Sequence, residues 1–546
     1  MSPLGGFDQV VAITQWKINH DLNYRYETWK RPLQRFIAHS RDENDGFMEA
    51  ILSPPTVELY VPGEPQKAVF RLNFTDGYFD YPQGEDHTLQ RLPMKGWSLA
   101  FLANLSPSNL TQVPSEIKSD IPDHVVDQIE NAGSYSLSQV LIDLGTANVV
   151  NFDFSRSVTP GLVASDASDA PKKQALETFI KAHLEELAEG GHNVLGYAIT
   201  VRDPVTTGET LPSLAPVSVS VQVMPCIEGP GASVGTRDRD ALLFLEMVGS
   251  MAGRSHPPVP LAGSDAWVPQ GEVGTMVVHK NAFWERFLVK EFTFFIRDAI
   301  RLTNTIGNWV QSKDLKGDLL QETAWILTEP QNCPNDDSWS TTSDHSANFN
   351  WKGYKKVKIS EHNCWTGSFN ETKELNSDIS VVAEIVPGTH FITVKTHIKY
   401  QYYDHHDDYP VGEHDPHPWT ESTNAEIEWE TKLAFNSVAG GTLGTEVTVG
   451  TPKCQCKVDD TTHGIFEMIF GGTRPDRVMT DKVQKYLEDN VKGDQIAALV
   501  DQGLTTHSHF VFSGAGAFTM KTPRFTSDHD LQVYLEPKMG RENQRE

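Results

Sequence analysis

The chain has 546 residues, 38% of them hydrophobic and 22% charged, with 12 Trp and 26 Phe. At roughly 100–200 residues per domain this length accommodates roughly two to four domains, and so aromatic a composition excludes general disorder. Forty-six Lys and Arg against 73 Asp and Glu leave a net charge of −27, which repels phosphate backbones and argues against nucleic acid as a partner.

Residues 8 to 29 carry Val11, Ile18, Leu22 and Tyr26 at helical multiples behind Asp8, which predicts a capped N-terminal helix. The start of the chain has no basic stretch followed by an apolar one, and no run reaches about 18 apolar residues, so a soluble, cytoplasmic protein without a membrane span is expected. In that compartment the sequons at Asn73, Asn104, Asn109 and Asn370 are chance matches. Short β-prone runs follow around 57–61, 69–74 and 137–143, and Trp97, Leu99, Phe101, Ala103 and Leu105 alternate as a one-face-buried strand does. Pro171 then opens a second helix, with Leu176, Phe179, Ile180, Leu184 and Leu187 on one face and Gly190-Gly191 at its end. Strands are predicted at 194–201 and at 217–223, where Val alternates with Ser and Gln.

The second half repeats this inventory. A helix is predicted over 282–311 and another over 480–501, with mostly strand between them. The clearest hairpin is 379–386 with 391–402, turned by Pro387-Gly388. Its return strand sets Ile392, Val394, Ile398, Tyr400 and Tyr402 against Lys395, His397, Lys399 and Gln401. A further strand sets Ala425, Ile427, Trp429, Thr431, Leu433 and Phe435 against Glu426, Glu428, Glu430 and Lys432. The basic and acidic outer faces suit cross-strand neighbours, each pair worth about 0.2–1 kcal/mol. Residues 329–347 and 404–421 look like polar loops. The expected fold class is therefore α+β, in two modules of similar plan at 1–265 and 266–546, joined by the Pro- and Gly-rich stretch 255–274, with exchange of a strand or helix between the halves left open.

The 282–311 segment carries the most functional information. Trp284, Leu288, Phe292, Phe295, Ala299, Leu302, Ile306 and Trp309 step by four and three, while Phe287, Phe294, Ile296 and Ile300 widen the apolar surface. Such a rod is either clasped as core by a curved sheet or lines an elongated apolar cavity. Arg286, Lys290, Arg297 and Arg301, continued by Asn304, Asn308 and Gln311, form a polar stripe. It is either a solvated face paired with Glu285, Glu291 and Asp298 or a site for an anionic headgroup. The candidate ligand-binding residues are accordingly Trp284, Leu288, Phe292, Phe295, Leu302, Trp309, Arg297 and Arg301.

No metal centre, cofactor or catalytic residue is indicated. Cys226, Cys333, Cys364, Cys454 and Cys456 are odd in number and lack C-x2-C spacing. His405, His406, His414 and His417 sit among Asp404, Asp407, Asp408 and Asp415 without recognised ligand spacing, and His507 with His509 lack a third ligand. Gly231 to Gly235 matches G-x-S-x-G but lacks the strand that must lead into a nucleophile elbow.

The order of several motifs is more telling than any one of them. GGFDQVVAI at 5–13, with Phe7 where a Trp is usual, KGWSLAFLANLS at 95–106, SLSQVLIDLGTANV at 136–149 and GTMVVHKNAFWERFLV at 274–289 resemble landmarks of one family. It is that of the OrfX and forty-seven-kilodalton accessory proteins of clostridial neurotoxin gene clusters. The match runs from the N-terminus to the end of the 282–311 segment. The resemblance implies two modules similar to the tubular lipid-binding (TULIP) superfamily, in which a curved antiparallel sheet wraps a long helix and an apolar groove often receives lipid. It implies a lipid or other hydrophobic ligand and association with related proteins from neighbouring genes, leaves peripheral membrane contact open, and does not imply a nucleophile. The leading expectation is thus non-catalytic binding of a hydrophobic molecule. The alternatives are an enzyme that folds and cyclises a hydrophobic substrate in the same cavity, and a toxin-associated scaffold or membrane-targeting component.

Overall fold

The computed structural model describes residues 4–28, 33–39, 46–83, 88–118, 123–131, 135–142, 152–163, 165–201, 216–226, 237–249, 256–257, 259–261, 266–289, 292–311, 340–343, 345–363, 367–409, 417–437, 443–460, 475–490, 497–498, 511–512 and 516–537. Two antiparallel sheets organise them. The larger has 14 strands and runs from Arg35–His39 through Phe47–Glu58, Lys67–Gln83, Ser98–Leu110, Tyr135–Ile142 and Val194–Val201. It continues through Val511–Phe512, Gly516–Phe525, Leu531–Pro537, Gly274–Val278, Gln9–Thr14 and Ala241–Val248 to Pro216–Met224. Strand Thr88–Pro93 pairs with Lys67–Gln83 off this path. The three strands that begin at Val511 therefore lie in mid-sheet, between Val194–Val201 and Gly274–Val278.

The N-terminal segment departs from its expected helix. Gln9–Thr14 is a strand, hydrogen-bonded on one side to Ala241–Val248 and on the other to Gly274–Val278, and all six of its residues are buried. A strand covered on both faces reads as one continuous apolar run, and Val10-Val11-Ala12-Ile13 is that run. The helical spacing is real only from Gln15, where the helix Gln15–Thr28 begins. Asp8 caps no helix: its Oδ2 accepts the Val248 N–H at 2.9 Å, and its carboxylate pairs with Arg286.

The second helix matches expectation. Ala170–Glu189 has Pro171 in its first turn, and Leu176, Phe179, Ile180, Leu184 and Leu187 are buried. Asp169 ties its start to the chain before it, accepting the Val163 N–H at 2.6 Å. Gly191, at φ +69°, supplies the left-handed residue that ends it.

The seven-stranded sheet runs Ser340–Ser343, Ser346–Asn363, Gly367–Ile385, Phe391–Tyr409, His417–Ser437 and Leu443–Val449, with Lys453–Asp460 also pairing with His417–Ser437. The expected hairpin forms in register, Ile379 opposite Ile398 and Ile385 opposite Ile392. Lys395, His397 and Lys399 fall opposite Glu430, Glu428 and Glu426, the cross-strand charge pairing read from the sequence. The polar stretches hold more strand than expected, since the sheet includes 340–343, 346–347, 404–409 and 417–421. In 402–406 alternate residues turn inward: Tyr402, Asp404 and His406 are buried, and Asp404 Oδ2 accepts the Tyr402 hydroxyl at 3.0 Å. Lys373, itself buried, lies 2.9 Å from Glu371 and 3.5 Å from Asp404. Charge suggested a loop where the period of two, with ion-paired inward residues, makes a strand.

The apolar rod is not one uniform helix. It opens as a wide π-type helix over Asn281–Leu288, in which the Val289 N–H reaches the Trp284 carbonyl, and is α-helical over Thr293–Gln311. The last helix, expected over 480–501, is described over Pro475–Asn490, and 491–496 and 499–501 lie outside the described residues. The two sheets meet through the hairpin turn: the Gly388 N–H donates to the Phe525 carbonyl at 2.8 Å, and the Phe525 N–H donates to the Thr389 carbonyl at 2.7 Å. At this junction Phe283, Phe435 and Phe525 form a triangle with ring centroids 5.6–5.8 Å apart. No helix among the described residues is long and apolar enough to cross a membrane.

Candidate functional site

An apolar crevice opens beside the 170–189 helix. Its floor comes from Leu99 and Phe101 of strand 98–110 and from Phe152 and Phe154, and its wall from Leu176, Ile180 and Leu184. Phe152 is held by a backbone bridge to Phe101, and the rings follow: Phe101 and Phe152 lie 5.6 Å apart, Phe152 and Phe154 4.2 Å apart edge to face. The crevice is shallow: about 20 Å³ of it admits a water-sized sphere, within about 350 Å³ of empty space that includes open solvent. Residues 176, 180 and 184 recur at i, i+4 and i+8, so they form one helical stripe, and Lys173, Glu177 and Lys181 form the adjoining stripe at the rim. Burial against the apolar lining pushes the Glu177 carboxyl above its ordinary range, partly countered by Lys173. The rim thus presents two cations around one carboxyl whose pKa burial raises. The arrangement suits a molecule with an apolar tail and a polar end; it holds no nucleophile and base in contact.

The residues expected from the sequence to bind ligand lie elsewhere. Trp284, Leu288, Phe292, Phe295 and Leu302 are 0–4% exposed and belong to the main hydrophobic core. The Trp284 indole N–H finds no acceptor among the described residues. The Trp309 side chain lies outside them, as do Lys290, Gly231 to Gly235, His507 and His509. Arg297 and Arg301 are on the exposed face of the 293–311 helix, and Arg301 lies 3.6 Å from Asp298. Arg286 leaves the stripe altogether, bridging to the buried Asp8 and to the Val248 carbonyl.

Asp298 faces the last helix. Burial pushes its carboxyl up to about 6, with Arg301 opposing, and burial together with Asp298 pushes the Tyr486 phenol up to about 12. Because the folded carboxyl holds its proton to higher pH than the unfolded one, Asp298 contributes stability at low pH that is lost as pH rises through about 6. Asp298→Asn is expected to stabilise the chain by about 1–2 kcal/mol at pH 8, after allowance for the side open to Arg301, and to have little effect below pH 4. Urea midpoints at the two pH values check it.

No protein-family model matches the chain, and no curated protein sequence does. Among solved structures the outcome is different. The chain is similar to P47 of Clostridium botulinum. P47 from the A2 strain aligns at 10% identity over 98% of each chain, with a TM-score of 0.45. P47 of Clostridium botulinum E1 aligns at 10% identity over 97% of this chain and 99% of its own, at 0.42. A lipopolysaccharide binding protein aligns at 10% identity over 97% and 98%, at 0.32. The first two belong to the group that the sequence motifs resemble. P47 and this chain superpose only loosely along their lengths, and the crevice rests on its own geometry.

Of the crevice residues, the sequence pattern identifies Leu99, Phe101, Leu176, Ile180 and Leu184 as buried faces of their elements. It gives no notice of Phe152 and Phe154, whose only signal is two aromatics at i and i+2, nor of the Lys173, Glu177, Lys181 rim, which becomes visible only once the neighbouring stripe is known to face an opening.

Proposed function

We propose that the chain binds a lipid-like or other hydrophobic molecule, without catalysis, in the crevice between the 170–189 helix and strand 98–110. In this reading the two sheets with their long helices are two TULIP-like modules divided near residue 265, and the strands after 511 are exchanged into the first. The observation that carries the reading is the opening itself: seven apolar side chains line one crevice whose rim holds Lys173 and Lys181. The lining is more apolar than a surface needs, and the rim can orient an anionic or polar end. A tail would deepen the crevice by lifting the helix edge at Ile180. A ligand role for Trp284, Leu288, Phe292, Phe295, Leu302 and Trp309, with Arg297 and Arg301 at the headgroup, belongs to the same proposal and requires the rod to part from its sheet. The cyclising-enzyme alternative needs a lone acid or phenol inside the cavity. Glu246 and Tyr400 are such groups, both buried, and neither lines this crevice.

Native mass spectrometry of the purified chain before and after solvent extraction tests the proposal. A releasable lipid-sized adduct is expected, together with saturable uptake of a fluorescent fatty acid by the extracted protein. Ile180→Trp, which fills the crevice, is expected to weaken that uptake at least tenfold while costing about 1–3 kcal/mol of stability. An extracted wild-type chain that takes up no fatty acid and never carried an adduct would leave the crevice as packing only.

A further inference from the structure

The outer face of the seven-stranded sheet holds a second arrangement of chemically competent groups, and it is independent of the crevice. His397 stands on strand 391–409, directly opposite Glu428 on strand 417–437, while Glu426 stands opposite Lys399. His397 Nε2 lies 2.8 Å from Glu426 Oε1 and 3.7 Å from Glu428 Oε1, and the three potential ligand atoms all fall within 4.8 Å of one another. We propose that His397, Glu426 and Glu428 bind a borderline divalent cation of the zinc type.

Three arguments carry this beyond a cross-strand ion pair. The first is distance. A tetrahedral zinc with bonds of about 2.0–2.2 Å keeps its ligand atoms roughly 3.3–3.5 Å apart; the two histidine–carboxylate separations bracket that value and the two carboxylates lie within 4.8 Å of each other, so rotamer changes close the site. The second is donor type. One imidazole nitrogen with two carboxylates suits zinc, cobalt or nickel, whereas calcium and magnesium take six or more oxygens. The third is rigidity. Both strands are interior to the sheet, strand 391–409 flanked by 367–385 and strand 417–437 by 443–449 and 453–460, which fixes the spacing of the three Cα atoms. With three protein ligands the fourth position stays open to water. Glu426 and Lys399 also line an adjoining polar hollow with Gln401, Asn424, Gln455 and Lys457, which leaves space for that water or for a small anion on the ion.

The site contains its own competitor. Lys399 Nζ lies 3.6 Å from Glu426 Oε1, so its ammonium must yield the carboxylate when a cation enters. This separates the proposal from a salt-bridge network, in which Lys399 and His397 act alike. The test is titration of the full chain with cobalt(II) at pH 7.5, read by the visible absorption of the tetrahedral ion, with zinc(II) as the displacing metal. One equivalent is expected to bind saturably and to be released by zinc. His397→Ala should weaken binding at least tenfold, and Lys399→Met should tighten it several-fold. Both side chains point outward from the sheet, and circular dichroism checks that each variant folds. Absence of a saturable absorption, or binding that His397→Ala leaves unchanged because the ion sits on other histidines, overturns the assignment.

Discussion

Phe283→Ala is expected to cost about 3–5 kcal/mol, the range for removing a fully buried aromatic from a core that cannot collapse around the gap. Phe283 is fully buried at the start of the π-type helix, and its ring meets Phe435 of the seven-stranded sheet at 5.6 Å and Phe525 of the larger sheet at 5.8 Å. Because Phe435 and Phe525 also touch, at 5.8 Å, deleting one ring removes two sides of a three-sided contact. The neighbouring backbone bonds, Gly388 to Phe525 and Phe525 to Thr389, depend on that packing for exclusion of water. The loss should therefore be local in its first effect. Hydrogen exchange is expected to show the Gly388 and Phe525 amides losing protection before those of Val11 or Phe244, which lie deep in the larger sheet, and Phe283→Leu should recover more than half of the lost stability. Uniform loss of protection across both sheets would instead place the cost in the helix and not at the junction.

How much of this is legible in the sequence depends on which face of each element the pattern describes. The 170–189 helix carries its apolar stripe, its Pro and its Gly-Gly stop in one unbroken stretch, and local chemistry suffices to place it. That the basic face of 391–402 and the acidic face of 425–435 are cross-strand neighbours is likewise readable from their opposite charges, whereas the register that sets Lys395, His397 and Lys399 opposite Glu430, Glu428 and Glu426 comes from the structure. The pattern misleads where burial is decided by distant chain. Gln9–Thr14 reads as the first turns of a helix until Ala241–Val248 and Gly274–Val278, both remote in sequence, satisfy its two edges. Asp404 reads as loop until Lys373 turns it into an inward-facing partner. The same charge pattern that makes the strands neighbours hides the ligand geometry of His397, since an alternation of Lys, His and Glu says nothing about which carboxylate oxygens converge on one nitrogen.

The 170–189 helix and the turn after it also carry a large expected dependence on pH. His183 is completely buried on its inner face, its ring 4.2 Å from that of Phe36, and neither ring nitrogen has a hydrogen-bond partner among the described residues. Burial, reinforced by His192, holds its imidazole down at about 3, and burial with the nearby Arg25 holds His192 down at about 4. The Glu186 carboxylate is 4.0 Å from His183 and exposed, too far and too well hydrated to hold a proton on the ring. Below about pH 6.5 the unfolded chain therefore binds protons that the folded chain refuses, and stability falls as pH drops towards the folded values. At about 1.4 kcal/mol per unit, the two histidines together remove on the order of 3–4 kcal/mol between pH 7.5 and pH 5. That is a large share of a typical stability of roughly 5–15 kcal/mol. His183→Leu, which keeps the volume and removes both unpaired nitrogens, is expected to raise stability at pH 7.5 by about 1 kcal/mol and to remove about half of the acid loss. Urea midpoints of wild type and variant at pH 7.5 and pH 5 measure both effects, and an equal fall in the two proteins would assign the acid sensitivity to other groups. The same helix supplies Leu176, Ile180 and Leu184 to the crevice wall. A bound fatty acid should accordingly leave wild type faster at pH 5 than at pH 7.5, and the difference should shrink in His183→Leu.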